Sequence, residues 1–219
     1  MLANLLSSSY PGRRRNQANW EGESEAVAKA TERRDPERYH SQGLAFWLDR
    51  VKQNGGANVR VLDLKPLNPA NFEFLMQHRL QVSTAGLTAE SAELSSSEQL
   101  IARLSGLFSQ RSFDAILAWD LLLHIATPIR DDLTRWLSKH SSLHAPMLML
   151  AGAMPDGRVP SATYRIGDGG EVTWDTRTTN GEHMAPNLHK GCVGFSVSRK
   201  FLLRHGPTEL VMQSESRGQ

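Results

Sequence analysis

The chain has 219 residues, of which 39% are hydrophobic and 22% charged, a composition that suits one packed domain and excludes wholesale disorder. Its 25 Lys and Arg are balanced by 23 Asp and Glu, which argues against a protein dedicated to coating nucleic acid. A single cysteine, Cys192, excludes an internal disulfide framework, and no apolar run approaches the roughly 18–20 residues of a membrane helix. We therefore expect a cytoplasmic protein with no membrane partner.

Residues 1–35 read as a flexible arm. The stretch 7–19 is rich in Ser, Arg, Asn and Gln and shows no apolar periodicity. Arg13, Arg14 and Arg15 form a basic patch that is typical of a solvated terminus. A nucleic-acid-binding module that uses these arginines is the least favoured function, so we expect no nucleic-acid partner.

Order is predicted to begin near Pro36. Tyr39, Leu44, Trp47 and Val51 fall on one helical face, which predicts a helix that ends at a Gly-Gly pair, residues 55–56. A short apolar strand follows at 58–64. Asn68 and Pro69 then suit the start of a helix, because Asn caps well and Pro is tolerated in the first turn.

The middle of the chain alternates strands and helices. Residues 79–83 predict a second strand, and Leu100 to Phe108 an amphipathic helix. The continuous apolar run 113–119 predicts a strand buried on both faces. Thr127 and Pro128 open another helix, and residues 145–151 form the next apolar strand. This alternation indicates a mainly parallel sheet with helices on both of its faces.

The last third predicts antiparallel hairpins. Residues 162–166 and 171–174 flank a Gly-rich turn. Residues 195–203 and 209–212 are joined by a turn too short for a crossover helix, so these two segments must pair antiparallel.

Three segments together resemble the class I S-adenosylmethionine-dependent methyltransferases. Residues 59–64 (VRVLDL) resemble the first strand of that family, residues 113–125 (FDAILAWDLLLHI) its fourth strand, and residues 195–212 its last two strands. The resemblance implies an α/β, doubly wound, mainly parallel seven-stranded sheet whose last strand is inserted antiparallel. It implies one methyltransferase-like domain over residues 36–219.

The resemblance also implies a cofactor site at the carboxyl ends of the strands, with Asp63, Asn68, Asn71, Trp119 and Asp120 around S-adenosylmethionine. The expected glycines after the first strand are absent, because residues 64–71 read LKPLNPAN. Lys65 places a cation where the cofactor carries its sulfonium charge, and residues 80–87 offer no carboxylate for the ribose hydroxyls.

Two functions follow. The favoured one is a methyltransferase-like pseudoenzyme, with cofactor binding lost or weakened, that works as a scaffold or regulatory partner of another protein. The alternative is an active S-adenosylmethionine-dependent methyltransferase on an unknown acceptor. The favoured cofactor is accordingly none, and S-adenosylmethionine is the alternative.

Other reactive side chains are weaker candidates for catalysis or metal binding. His124 follows the fourth strand of the resemblance and is a candidate general base, although a structural role is favoured. His183, His189 and Cys192 share one region, but no fourth ligand is spaced to match them, so we predict no metal site. Trp119 lies on an apolar pattern that favours packing in the core.

Overall fold

The computed structural model describes residues 37–54, 58–88, 91, 96–109, 111–151, 158–159, 162–176, 183–184, 192–203 and 207–215. The predicted arm, residues 1–35, lies outside the described residues. Within these ranges we find no helix that is both long and apolar enough to cross a lipid bilayer.

The described helices and strands follow the predicted alternation. The helices are α1 Gln42–Asn54, α2 Pro69–Gln77, α3 Ser97–Phe108 and α4 Thr127–Lys139. The strands are β1 Glu37–His40, β2 Arg60–Asp63, β3 Gln81–Thr84, β4 Ala115–Trp119, β5 Pro146–Ala151, β6 Arg158–Val159, β7 Ala162–Ile166, β8 Glu171–Thr176, β9 His183–Met184, β10 Phe195–Phe201 and β11 Thr208–Ser214.

The central sheet has the strand order β10-β11-β5-β4-β2-β3. Strands β5, β4, β2 and β3 are parallel, whereas β11 pairs antiparallel with both β5 and β10. The sheet is therefore mostly parallel, and the last strand lies between β5 and β10, as the resemblance implies.

The described residues contribute six strands to this sheet, whereas the resemblance implies seven. A further parallel strand beyond β3 would need its own crossover connection of a dozen or more residues. The described part of the chain between β3 and β4 holds one long helix, α3, which leads directly to β4.

Helices cover both faces of the central sheet. Helices α1 and α2 pack on one face through the buried side chains Leu44, Trp47, Phe74 and Leu75. Helices α3 and α4 pack on the other through Leu104, Phe108, Leu133 and Trp136. Every residue of β4 is buried, which confirms the prediction from its continuous apolar run.

A second sheet has the order β1-β8-β7 and is antiparallel throughout. Buried and exposed residues alternate along β7, and its inward residues Ala162, Tyr164 and Ile166 join the core on the α1 and α2 face. The predicted helix from Pro36 is wrong at its start, because Tyr39 lies in β1 opposite Val172. Pairing with a distant strand overrides the local helical pattern there.

A buried carboxylate joins the start of α1 to β11. Glu209 is fully buried and accepts hydrogen bonds from the Ser41 hydroxyl and from the backbone N–H of Gly43, the latter at 2.6 Å. Ser41 in turn accepts from the N–H of Leu44 at 2.9 Å. A Cβ on Gly43 would lie 2.8 Å from the Cβ of Glu209, so this approach requires glycine.

Replacing this carboxylate tests its role in the fold. We expect Glu209→Ala to lower the free energy of unfolding by about 3 kcal/mol, because two buried donors lose their acceptor. Glu215→Ala, at an exposed position just beyond the same strand, is the matched control and should change stability by less than about 0.5 kcal/mol. Urea unfolding measures both values, and equal stability of the two variants would contradict the assignment.

Candidate functional site

The carboxyl end of β2 carries a buried carboxylate that is already bonded. Asp63 is 3% exposed, and its Oδ1 accepts from the Trp119 indole N–H at 2.8 Å and from the Lys65 backbone N–H at 3.0 Å. Burial raises the pKa of Asp63 to about 7, although these two hydrogen bonds and the Lys65 charge act in the opposite direction. The group that the sequence places at the cofactor is thus directed at the protein itself.

The adjacent strand ends in an irregular backbone that aims Trp119. Its φ of 52° lies in the left-handed region, and the pairing of β4 with β5 shifts between Leu117 and Trp119. Such a conformation costs a residue with a side chain about 1–2 kcal/mol, so surrounding contacts must hold it. Those contacts are the bond to Asp63 and a stacked aromatic ring from β7.

A second buried carboxylate, Asp120, follows directly and forms an ion pair with the ammonium of Lys65. Its Oδ2 accepts from the Ala162 N–H at 3.0 Å and lies 3.5 Å from Nε2 of His124. Burial alone would raise the pKa of Asp120, but His124 and Lys65 together outweigh burial and lower that pKa below its ordinary value. Asp120 is therefore a carboxylate anion inside the fold.

Lys65 extends across this edge and touches β7 at two further points. Its Nζ donates to the carbonyl oxygen of Ala162 at 2.6 Å and lies 5.1 Å from the centroid of the Tyr164 ring. Both the N–H and the C=O of Ala162 are consequently bonded to the Lys65–Asp120 pair. The cation expected to oppose a sulfonium is used to hold a strand.

Asn68 and Asn71 are bonded to the same strand. Asn68 caps α2 by accepting from the Ala70 N–H at 3.1 Å and donates to the Tyr164 carbonyl at 3.1 Å. The buried Asn71 donates to that carbonyl at 3.1 Å and accepts from the Ile166 N–H at 2.8 Å. The two amides therefore satisfy the backbone of β7 as a neighbouring strand would.

Tyr164 fills the space between these groups. Its ring is 3% exposed and stacks on Trp119 at a centroid distance of 5.5 Å and an interplanar angle of 10°. Trp174 also stacks on Tyr164, at a centroid distance of 6.4 Å. Burial and the Asp120 charge raise the pKa of Tyr164 well above its ordinary value, so its hydroxyl stays protonated beside Asp120.

The structure brings all five predicted site residues to one place, around β7. The functional partners that sequence reasoning missed are Lys65, as an ion-pair partner, and Ala162 and Tyr164, as the covering strand. The alternation of apolar and polar residues in 162–166 signalled a half-buried strand. No local pattern indicates which surface that strand covers.

S-adenosylmethionine, the cofactor that the resemblance implies, does not fit these residues as they stand. Tyr164 and the Ala162 backbone lie against Trp119 and Asp120, where the nucleoside would approach. The Asp120 carboxylate is already paired with the Lys65 ammonium, so it is not free to balance the positive charge of a sulfonium. At the end of β3, Ser83 and Thr84 stand where a carboxylate would hold the ribose.

The other reactive groups carry no catalytic arrangement. His124 is 4% exposed and lies against Asp120 rather than in an open cleft. Burial raises the pKa of Cys192 to about 11, which disfavours a thiolate. Among the described residues no group of three or more His, Cys, Asp or Glu side chains could hold a metal ion. His189 and the side chain of His183 lie outside the described part.

Comparison with known proteins finds similarity in solved structures alone, since no family model and no curated protein matches the chain. The glycopeptide N-methyltransferase MtfA complexed with S-adenosyl-L-homocysteine is 13% identical, covers 89% of this chain and 98% of its own, and has a TM-score of 0.48. DesVI of Streptomyces venezuelae is 11% identical and covers 78% of this chain and 90% of its own, with a TM-score of 0.47. An S-adenosylmethionine-dependent methyltransferase from Clostridium acetobutylicum is 10% identical and covers 90% and 98%, with a TM-score of 0.45.

The raised pKa of Asp63 predicts a specific pH dependence. Because that pKa of about 7 exceeds the ordinary value of 3.8, the folded chain holds a proton that the unfolded chain releases, and stability contributed by Asp63 is lost as pH rises through 7. Asp63→Asn keeps an acceptor for Trp119 and should remove this loss, which amounts to about 4 kcal/mol at most. We would measure the free energy of unfolding of both proteins by urea titration, at about five pH values between pH 4 and pH 8.

The matched control is Asp49→Asn on the exposed face of α1, which should follow the pH profile of the wild-type protein. Parallel profiles for wild type and Asp63→Asn would show that Asp63 is ionised in the fold at all of these values.

Proposed function

We propose that this chain is a methyltransferase-like pseudoenzyme that does not use S-adenosylmethionine and acts by binding a protein partner. One observation carries the first half of this proposal: β7 covers the carboxyl ends of β2 and β4, where open α/β sheets bind their ligands. The side chains that bond to the backbone of Ala162, Tyr164 and Ile166 are those of Lys65, Asn68, Asn71 and Asp120.

The chemistry of the edge supports the same conclusion. A methyl transfer site needs space for a sulfonium-bearing nucleoside and for its acceptor. Here a buried cation–carboxylate pair and two stacked aromatic rings fill this edge of the sheet. We derive no methyl-transfer step from these residues.

An apolar stripe at the start and on the outer face of α2, formed by Leu67, Phe72 and Met76, supports the second half of the proposal, the binding of a protein partner. Leu67 is 58% exposed, Phe72 37% and Met76 49%. Leu67 and Phe72 occupy the two positions of a hydrophobic staple, and Met76 follows Phe72 by one helical turn. Adjacent exposed apolar side chains of this size favour a protein partner over nucleic acid, which would select basic groups.

The alternative, an active S-adenosylmethionine-dependent methyltransferase, is favoured by the strand order and by two carboxylates at the right strand ends, Asp63 and Asp120. It requires β7 to leave the edge. That movement would break the Lys65–Asp120 contacts with Ala162 and expose Tyr164.

Calorimetric titration with S-adenosylmethionine and S-adenosylhomocysteine separates the two functions. We expect no saturable heat and no change in melting temperature, since a ligand at one hundred times its Kd would stabilise the fold by about 2.7 kcal/mol. Saturable binding that Asp63→Ala abolishes and Asp49→Ala retains would contradict the loss of the cofactor and favour the alternative instead.

Crosslinking with the full-length protein tests the second half of the proposal, the binding of a protein partner. We expect a protein that crosslinks to wild type to be lost from a double variant, Leu67→Glu with Met76→Glu, and kept by Leu107→Glu, whose site is 53% exposed on α3. Equal crosslinking of the double variant and Leu107→Glu would reject the stripe as the contact surface.

A further inference from the structure

A buried guanidinium lies at the start of α4, on the face of the central sheet opposite to β7. Arg130 is 9% exposed, and its Nη2 donates to the Thr127 hydroxyl at 3.1 Å. Its Nη1 is enclosed and has no hydrogen-bond partner. No carboxylate within the described ranges forms an ion pair with it.

A buried charge without a counter-charge is costly, by several kcal/mol per ion even after relaxation. Natural folds therefore retain such a group where something compensates it. For Arg130 the compensating group is not supplied by the part of the chain that the structure describes, and an enclosed N–H on Nη1 remains to be satisfied.

The first turn of α4 adds positive potential at the same place. Ala126 at the N-cap makes no side-chain hydrogen bond, so the opening N–H groups, those of Thr127 and Ile129 because Pro128 has none, receive no capping acceptor from it. The helix dipole places about half a positive charge there. Ala126, Thr127 and Pro128 are exposed, which leaves this turn open to a ligand.

The nearby acidic residues leave this charge uncancelled. Asp132 is engaged by the Arg135 guanidinium at 2.5 Å. Asp131 follows Arg130 directly but forms no described ion pair with it, and the Asp131 backbone carbonyl accepts from Thr134. Among the described residues, neither carboxylate is therefore paired with Arg130.

We propose that the first turn of α4 is an oxyanion site, in which Arg130, the Thr127 hydroxyl and the opening N–H groups of the helix bind a carboxylate or phosphate group. A helix start alone would not make such a site, but the buried Arg130 guanidinium reaches Thr127 in this turn through Nη2 and keeps Nη1 without a partner, which gives the turn a specific cationic ligand. The site is independent of the proposed function, since it uses none of the residues around β7.

The test titrates inorganic phosphate and, separately, acetate into the full-length protein, at constant ionic strength set with chloride. We expect one of the two anions to give saturable binding by calorimetry and a rise in melting temperature, and which one does so identifies the ligand group. Arg130→Gln should weaken that binding at least tenfold. Arg135→Gln, an exposed arginine on the same helix, should bind as wild type does.

Arg130→Lys keeps the experiment decisive if the glutamine variant does not fold, because it retains the charge but loses the fork of N–H donors. It should fold and bind the anion several-fold more weakly than wild type. Saturation of wild type by neither anion, or equal affinity in wild type and the folded Arg130 variants, would overturn the proposal.

Discussion

The ion pair between Lys65 and the fully buried Asp120 is the contact on which the arrangement of this chain depends. A buried carboxylate is tolerated only when paired and hydrogen-bonded. Asp120 receives the Lys65 ammonium and the Ala162 N–H, while the Lys65 ammonium also reaches the Ala162 carbonyl. The paired side chains therefore bind the N–H and the carbonyl of Ala162 as well as each other, so the charge pair and the covering strand form one unit.

This unit explains why the sequence pattern of the same side chains predicts a cofactor site. Carboxylates at the ends of β2 and β4 and amides at the start of α2 are groups that bind ligands in open α/β sheets. A strand of the same chain presents similar chemistry to them: N–H donors to Asp120 and Asn71, and a flat ring to Trp119. In this structure Asn68, Asn71 and Asp120 bond to the backbone of β7. Trp119 stacks on Tyr164 of that strand, and Asp63 bonds to Trp119.

How much could be predicted follows from the range of each interaction. The α2 start was predictable because Asn68 and Pro69 signal it locally, and β4 because its run is apolar throughout. The strand at Tyr39 was not, since its pairing with β8 outweighs a helical pattern that continues into α1. The position of Tyr164 was not either, because it depends on contacts with residues such as Asn71, 93 positions away in sequence.

The covering strand β7 also limits how tightly any nucleoside could bind at this edge of the sheet, because the nucleoside would have to displace β7. Displacing β7 would leave four backbone groups without their partners: the Ala162 N–H and carbonyl, the Tyr164 carbonyl and the Ile166 N–H. The loss is about 1 kcal/mol net for each group. Because every 1.4 kcal/mol is a factor of ten, this alone weakens an external ligand by roughly a thousandfold. A ligand of micromolar intrinsic affinity would then bind only near millimolar concentration, and the loss of the stacked rings would weaken it further. The edge is therefore closed because β7 of the same chain competes with an external ligand. No difference in the strands of the sheet beneath it is needed to explain the closure.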